Sequence, residues 1–161
     1  MGGLLIVWHS RTGGSRQMAV AAHEAACTEV SATLLRARDA GPEDLLGAQG
    51  YIFCAPENLA ALSGEMKEFF DRCYYPLLAR IEGRPYAQMI CAGSDGSNAM
   101  RQIARIAQGW RLRPVQEALI ICTHAQTQEQ ILSEKTISEA DLTRCRDLGL
   151  ALGAGLAMGA F

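Results

Sequence analysis

Leu4-Leu5-Ile6-Val7-Trp8-His9-Ser10-Arg11-Thr12-Gly13-Gly14-Ser15-Arg16-Gln17-Met18-Ala19 is the stretch that decides the fold. Leu4 to Trp8 is apolar without interruption, which predicts a strand buried on both faces, as in a parallel sheet. Ser10 to Ser15 is a short run of hydroxyls and glycines. Arg16 then opens an alanine-rich segment to Cys27, which predicts a helix. A strand, a hydroxyl-glycine turn and a helix together make an anion site. The first helical turn has unpaired N–H groups and the positive end of the dipole. Glycines let that backbone approach a phosphate, and Ser or Thr hydroxyls add donors.

The same stretch excludes other chemistries. It lacks the G-x-x-x-x-G-K-[ST] run of a nucleotide P-loop and the G-x-G-x-x-G fingerprint of a dinucleotide fold. No cysteine in the chain is followed six residues later by arginine, so a phosphatase loop is absent. What remains is a cradle of hydroxyls and amides without a lysine. Such a cradle suits a monophosphate that is held rather than transferred.

Working outward, Val30 to Leu35 predicts a second strand, less buried and at an edge. Asp39-Ala40-Gly41-Pro42 breaks the chain, and Glu43 to Leu46 is at most a short helical turn. Tyr51 to Ala55 is a central third strand. Pro56 to Ser63 reads as the loop after it. Gly64 to Ile81 predicts a helix with Met66, Phe69, Phe70, Cys73, Tyr74, Leu77 and Leu78 on one face, ended early or kinked at Pro76. Ala87 to Ala92 is a fourth strand, followed by the polar loop Gly93 to Asn98. A helix over Ala99 to Trp110, a fifth strand over Val115 to Cys122 and a polar connection over Thr123 to Ile137 follow. Ser138-Glu139-Ala140-Asp141 reads as a capping box opening the last helix.

Alternating strands and helices predict one three-layer α/β domain over residues 1–161 with a five-stranded parallel sheet; right-handed crossovers leave a few doubly wound orders, of which 2-1-3-4-5 is the one expected here. The switch point lies between the first and third strands. Ser10–Ser15, Pro56–Ser63 and Gly93–Asn98 then converge on one crevice at the carboxyl ends.

Composition agrees. The chain has 161 residues, 49% hydrophobic and 20% charged, enough for one domain with a sizeable core. Its net charge of −2 argues against nucleic acid as a partner. Leu148 to Phe161 is apolar but broken by four glycines and falls short of the ~20 residues of a membrane span. No signal peptide is expected. Six cysteines without a C-x-x-C pair suit reduced thiols and a cytoplasmic location.

Three segments carry a resemblance to a known family. Ser10-x-Thr12-Gly13-Gly14-Ser15-x-x-Met18-Ala19 resembles the FMN-phosphate loop of the flavodoxin-like family, which includes NAD(P)H-dependent FMN reductases. Pro56 to Arg72 is similar to that family's P-x(7)-G-x-[ML]-K-x-[FL]-x-D-[RW] segment, in which a loop covers the flavin ring. Gly93 to Asn98 is similar to the loop on the other side of the ring. An ordinary serine-capped turn would account for the first segment alone; the three in order favour the family.

The resemblance implies FMN as cofactor and a flavodoxin-like fold. Ser10, Arg11, Thr12, Gly13, Gly14 and Ser15 would face the phosphate, with Arg16 nearby. Pro56, Leu59 and Leu62 would line the ring slot, with Glu57 in the same loop and Asn58 at the ring's polar edge. Gly93, Ser94 and Asp95 would meet its polar edge. The implied activity is an NAD(P)H-dependent oxidoreductase that passes a hydride to the flavin and on to a small-molecule electron acceptor such as a quinone or free flavin. Pairing into a homodimer or tetramer fits that branch. Two alternatives stay open: a flavodoxin-type electron carrier and a cofactor-free protein of the same fold. One departure matters. Neither ring-side loop contains an aromatic residue, whereas carriers usually stack one on the ring, and an uncovered ring leaves room for a nicotinamide. His9, Cys54, Cys91, Cys122 and His124, near strand ends, suggest zinc ligands by type alone; small buried thiols are the commoner role, and no metal is expected.

Overall fold

A computed structural model describes residues 2–161. In chain order the elements are β1 (Leu4–Trp8), α1 (Gly14–Ala26), β2 (Ala32–Arg36), α2 (Pro42–Gly47), β3 (Gly50–Asn58), β4 (Ala61–Leu62) and α3 (Gly64–Leu77). Then come β5 (Pro85–Ala92), α4 (Ser97–Gly109), β6 (Arg113–Pro114), β7 (Leu119–Cys122), α5 (Gln128–Leu132) and α6 (Glu139–Met158). The sheet runs β2-β1-β3-β5, with β6 and β7 both pairing β5. All these pairings are parallel, so the five-strand order 2-1-3-4-5 is met, with β6 and β7 sharing the fifth place. The fold is flavodoxin-like.

Several details differ from the sequence reading, among them that α1 opens at Gly14 rather than Arg16 and that β2 is Ala32–Arg36 rather than Val30–Leu35. The expected strand Val115–Cys122 is broken. Tyr86 aligns with Pro114 and Met89 with Leu119, so the edge strand carries two extra residues over that interval. A proline has no N–H for a ladder, and an edge tolerates the resulting bulge. The expected loop Pro56–Ser63 is largely strand. β3 continues to Asn58 and turns back into β4, pairing Asn58 with Ala61 and Glu57 with Leu62. Leu59 and Ala60 form the two-residue turn at φ 51° and 61°, the signs of a type I′ hairpin. Neither residue is the Asn or Gly that normally announces such a turn.

Strand alternation divides the core. Leu5, Val7, Tyr51 and Phe53 face α3 and α4. Leu4, Ile6, Ile52 and Cys54 face α1 and α6. On the first side Phe53, Phe69, Phe70 and Trp110 are fully buried and in mutual ring contact. Each such side chain contributes roughly 1.5–3 kcal/mol by burial. The helical stripe over 64–81 holds at Met66, Phe69, Phe70, Cys73 and Leu77, but α3 ends after Leu77, one residue past Pro76, and Leu78 is exposed. On the second side α6 lies against α1 as well as the sheet. A Cβ on Gly149 would stand 2.1 Å from the Ala22 carbonyl oxygen, and one on Gly153 would stand 3.1 Å from that of Ala26. Of the predicted capping box, only the Ser138 half forms: Ser138 Oγ accepts from Asp141 N at 3.2 Å. The Asp141 carboxylate turns instead to Arg144, at 3.1 Å.

Candidate functional site

The crevice at the carboxyl ends of β1, β3 and β5 begins with the turn that opens α1. Gly13 holds φ 94°, a left-handed conformation that glycine accepts without strain. Its N–H donates to Ser10 Oγ at 2.9 Å, which folds the loop back on itself. Gly14 is seated on Cys91; a Cβ there would come within 2.6 Å of the sulfur. Ser15 follows, 1% exposed, and its Oγ has no hydrogen-bond partner within the protein. The first turn of α1 has no acidic residue. A buried hydroxyl without a partner costs roughly 1–3 kcal/mol. Here it lies among the free amides of a helix start, so an anion brought to that turn would meet a further donor.

The floor beneath is electrically neutral. Burial pushes the Cys91 thiol up to about 11 and Cys54 well above its ordinary range. Both stay protonated near neutrality, and Cys54 Sγ donates to the Ser15 carbonyl at 3.3 Å. A thiolate there would repel a bound phosphate; burial prevents it from forming.

The fold also supplies the lysine that the loop itself lacks. Lys135 arrives from the Thr123–Ile137 connection, which contains α5. Its N–H donates to the Thr12 carbonyl at 2.7 Å, and its Nζ donates to the Ser133 and Ile131 carbonyls at 2.6 and 2.8 Å and to Thr12 Oγ1 at 3.3 Å, so its charge, rather than a free N–H, reaches the cradle. Gln17 binds this segment down: Nε2 donates to the carbonyls of Gly13 and Lys135, at 3.0 and 2.7 Å, and Oε1 accepts from Ile137 N at 3.0 Å. Residues 134–137 thus form a strap across the cradle. No local pattern in the sequence could have found Lys135, because 123 residues separate it from Thr12.

The β3–β4 hairpin and the loop after β5 form the other wall. Glu57 binds this wall together: Oε1 accepts from Gly96 N at 2.9 Å, at the start of α4. Asn98 Nδ2 donates to the Ala60 carbonyl at 2.7 Å, and Gln102 Oε1 accepts from Leu62 N at 2.7 Å. The hairpin is therefore clamped to α4. Pro56 and Asn58 are half-buried, and Leu59 is fully exposed at the tip. Leu62 is buried in the core and takes no part in an open slot, contrary to the sequence reading. Gly93 is half-buried, with its carbonyl accepting from His124 N at 2.8 Å; Ser94 and Asp95 are exposed. Arg11 and Arg16 are exposed beside the cradle.

His9, just before the cradle, shares a 2.8 Å hydrogen bond between Nδ1 and Ser63 Oγ, and its Nε2 lies 3.7 Å from Glu65 Oε2. Burial lowers its pKa below the ordinary 6.5; Glu65 opposes this and Arg11 adds to it. The unfolded chain therefore takes up the proton first. The stability that this His contributes is complete above pH 6.5 and is lost as pH falls below that value. We expect unfolding in urea to show a steeper loss of stability from about pH 7.5 to 5 in the wild type than in His9→Asn. Equal slopes would rule out this role. Among the described residues, no three His, Cys, Asp or Glu side chains gather as a metal-binding group, and no helix is long and apolar enough to cross a membrane.

A parallel sheet in the order β2-β1-β3-β5, with β6 and β7 at the far edge and helices on both faces, gives the flavodoxin-like class of fold. No family model matches the chain. A flavodoxin of Aquifex aeolicus (strain VF5) is 33% identical over 99 residues, which are 60% of this chain and 53% of that protein. The chain thus spans about half the length of the curated relative it matches. Among solved structures, a flavodoxin from the domain Archaea superposes with a TM-score of 0.77 at 16% identity, covering 97% of this chain and 99% of that one. A WrbA-like flavodoxin of Agrobacterium tumefaciens gives 0.72 at 22% identity, covering 99% of both chains.

Proposed function

We propose that this protein binds FMN and works as a flavodoxin-type electron-transfer protein. The observation that carries the proposal is Ser15 Oγ, buried without a partner at the start of α1 beneath the strap that brings Lys135. A flavin monophosphate would supply the missing acceptor. Ser10, Arg11, Thr12, Gly13, Gly14, Ser15 and Lys135 would hold its phosphate. Pro56, Asn58, Leu59, Gly93, Ser94 and Asp95 would meet its ring, with Glu57 positioning both loops. FMN, when bound, supplies one- and two-electron chemistry at that ring. The likeness in sequence to a flavodoxin weighs toward a carrier.

The second reading is an NAD(P)H-dependent oxidoreductase with a small electron acceptor and paired subunits. Leu59, rather than an aromatic residue, occupies the hairpin tip, which favours that reading by leaving the ring open. Both readings can be tested in one cuvette. The visible spectrum is recorded with and without added FMN, and NADPH is then added without air. Flavin bands that persist with NADPH support the carrier; bands that bleach support the oxidoreductase. A protein that stays colourless with excess FMN overturns both.

A further inference from the structure

The strap carries a second charge, opposite in sign to Lys135, and that charge stands against the cradle. A Cβ on Gly13 would meet Glu134 Cγ at 3.6 Å and Glu134 Oε1 at 3.7 Å, ordinary van der Waals contact. Gly13 is the N-cap of α1, a helix of 13 residues whose own first turn holds no acidic residue. The amides that open such a helix have no intrahelical acceptor, and the dipole is positive there. Among the described residues Glu134 forms no ion pair that would hold it elsewhere. Its backbone is fixed by its neighbour: the Lys135 N–H donates to the Thr12 carbonyl and the Lys135 carbonyl accepts from Gln17, both at 2.7 Å. Lys135 Nζ turns back to the Ile131 and Ser133 carbonyls, whereas the Glu134 carboxylate rests beside Gly13. Ser15 Oγ stays buried and unpartnered at the same turn, so the carboxylate stands at the mouth of the cradle without filling it.

We propose that Glu134 is a built-in competitor for the cradle: its carboxylate stands in for phosphate in the empty site and leaves when a phosphate monoester binds. The proposal rests on the flavin reading of the cradle and assigns that site a regulator. Two anions cannot share one helix start. The carboxylate gains from the α1 dipole only while the site is empty, and a phosphate placed there repels it. Binding thus exchanges one anion for another, and the affinity reports the difference between them. Glu134 is exposed, so rotation of its side chain into water clears the turn while the strap stays in place.

The test compares the wild type with Glu134→Gln, which keeps the shape of the side chain and removes its charge. The position is exposed, so the variant should fold. The full chain is titrated with FMN, riboflavin and inorganic phosphate, the flavins followed by fluorescence and phosphate by calorimetry. We expect the variant to bind FMN and phosphate about threefold tighter or more, the effect of one carboxylate at a helix start, with riboflavin affinity unchanged. The difference should shrink in high salt. The ligand-free variant should unfold at a lower urea concentration, because α1 loses the anion at its start. A side chain that merely braced the strap would move FMN and riboflavin together and weaken both. The proposal is overturned if the variant binds FMN and phosphate no tighter than the wild type, or if riboflavin gains as much as FMN. If neither flavin binds, the flavin reading fails and phosphate decides alone. Tighter phosphate binding by the variant then upholds the role of Glu134, and equal binding or none overturns it.

Discussion

Ser15→Ala will stabilise the flavin-free protein by about 1 kcal/mol and weaken FMN binding about tenfold. The two effects have opposite signs and one cause. The Ser15 hydroxyl is buried without a partner, so folding strips it of water and gives nothing back. Alanine removes that cost and leaves a void of only one oxygen. With a phosphate in the cradle the account reverses, because the same hydroxyl then donates to a charged acceptor, a stronger bond than one between neutral groups. Urea midpoints of the flavin-free proteins and fluorescence titrations with FMN measure the two halves. A flavin-free Ser15→Ala protein less stable than the wild type would show that the hydroxyl serves the fold, and the cradle would lose its main support.

Gly149 governs a larger effect on stability. Its would-be Cβ lies 2.1 Å from the Ala22 carbonyl oxygen and 2.7 Å from the Ala22 Cα. These are backbone atoms of α1, which cannot rotate aside as a side chain can. Gly149→Ala must push α6 off α1, and we expect a loss of about 3 kcal/mol, at the upper end for an overpacked core. Gly149→Leu should exceed the ~5–15 kcal/mol margin of a domain at its lower end and leave no cooperative transition. Gly159→Ala is the control, since nothing lies within 4 Å of a Cβ there, although its φ of 66° adds some strain. Urea denaturation followed by circular dichroism separates the three. A Gly149→Ala midpoint equal to that of the wild type would mean that the helices part at little cost.

How much of this was legible in the sequence varied with how local the cause was. β1 was readable to the residue, because five apolar side chains in succession fit few other structures. α1 was readable as a helix, but it opens at Gly14, two residues before the expected Arg16, because the glycine-serine turn is itself its first turn; the strand order came from the alternation of elements along the whole chain and not from this stretch. The hairpin at Leu59–Ala60 was not readable, because its turn lacks Asn and Gly and is held by Asn98 and Gln102 from α4. The break in the fifth strand was hidden because its first piece is Arg113–Pro114, which has no strand signature, and only Leu119–Cys122 of the expected Val115–Cys122 run pairs with β5. Ser10 and Gly13 announced themselves by type, and the structure joins them by a hydrogen bond. Lys135 and Glu134 did not, since only tertiary packing brings them to the cradle. Glu57 was noticed for its place in a motif, whereas its carboxylate caps α4.

The broken outer strand has a consequence for how copies of this protein meet. An open sheet edge is a template on which another chain can add a strand, and such growth needs an uninterrupted row of N–H and C=O groups. On this side the row is interrupted between Pro114 and Leu119, and Pro114 offers no donor. At the opposite border β2 is five residues long and ends in Arg36, whose charge resists a hydrophobic partner. A short or interrupted border strand gives an added strand few consecutive partners, so neither border of the sheet offers a long template for ladder extension.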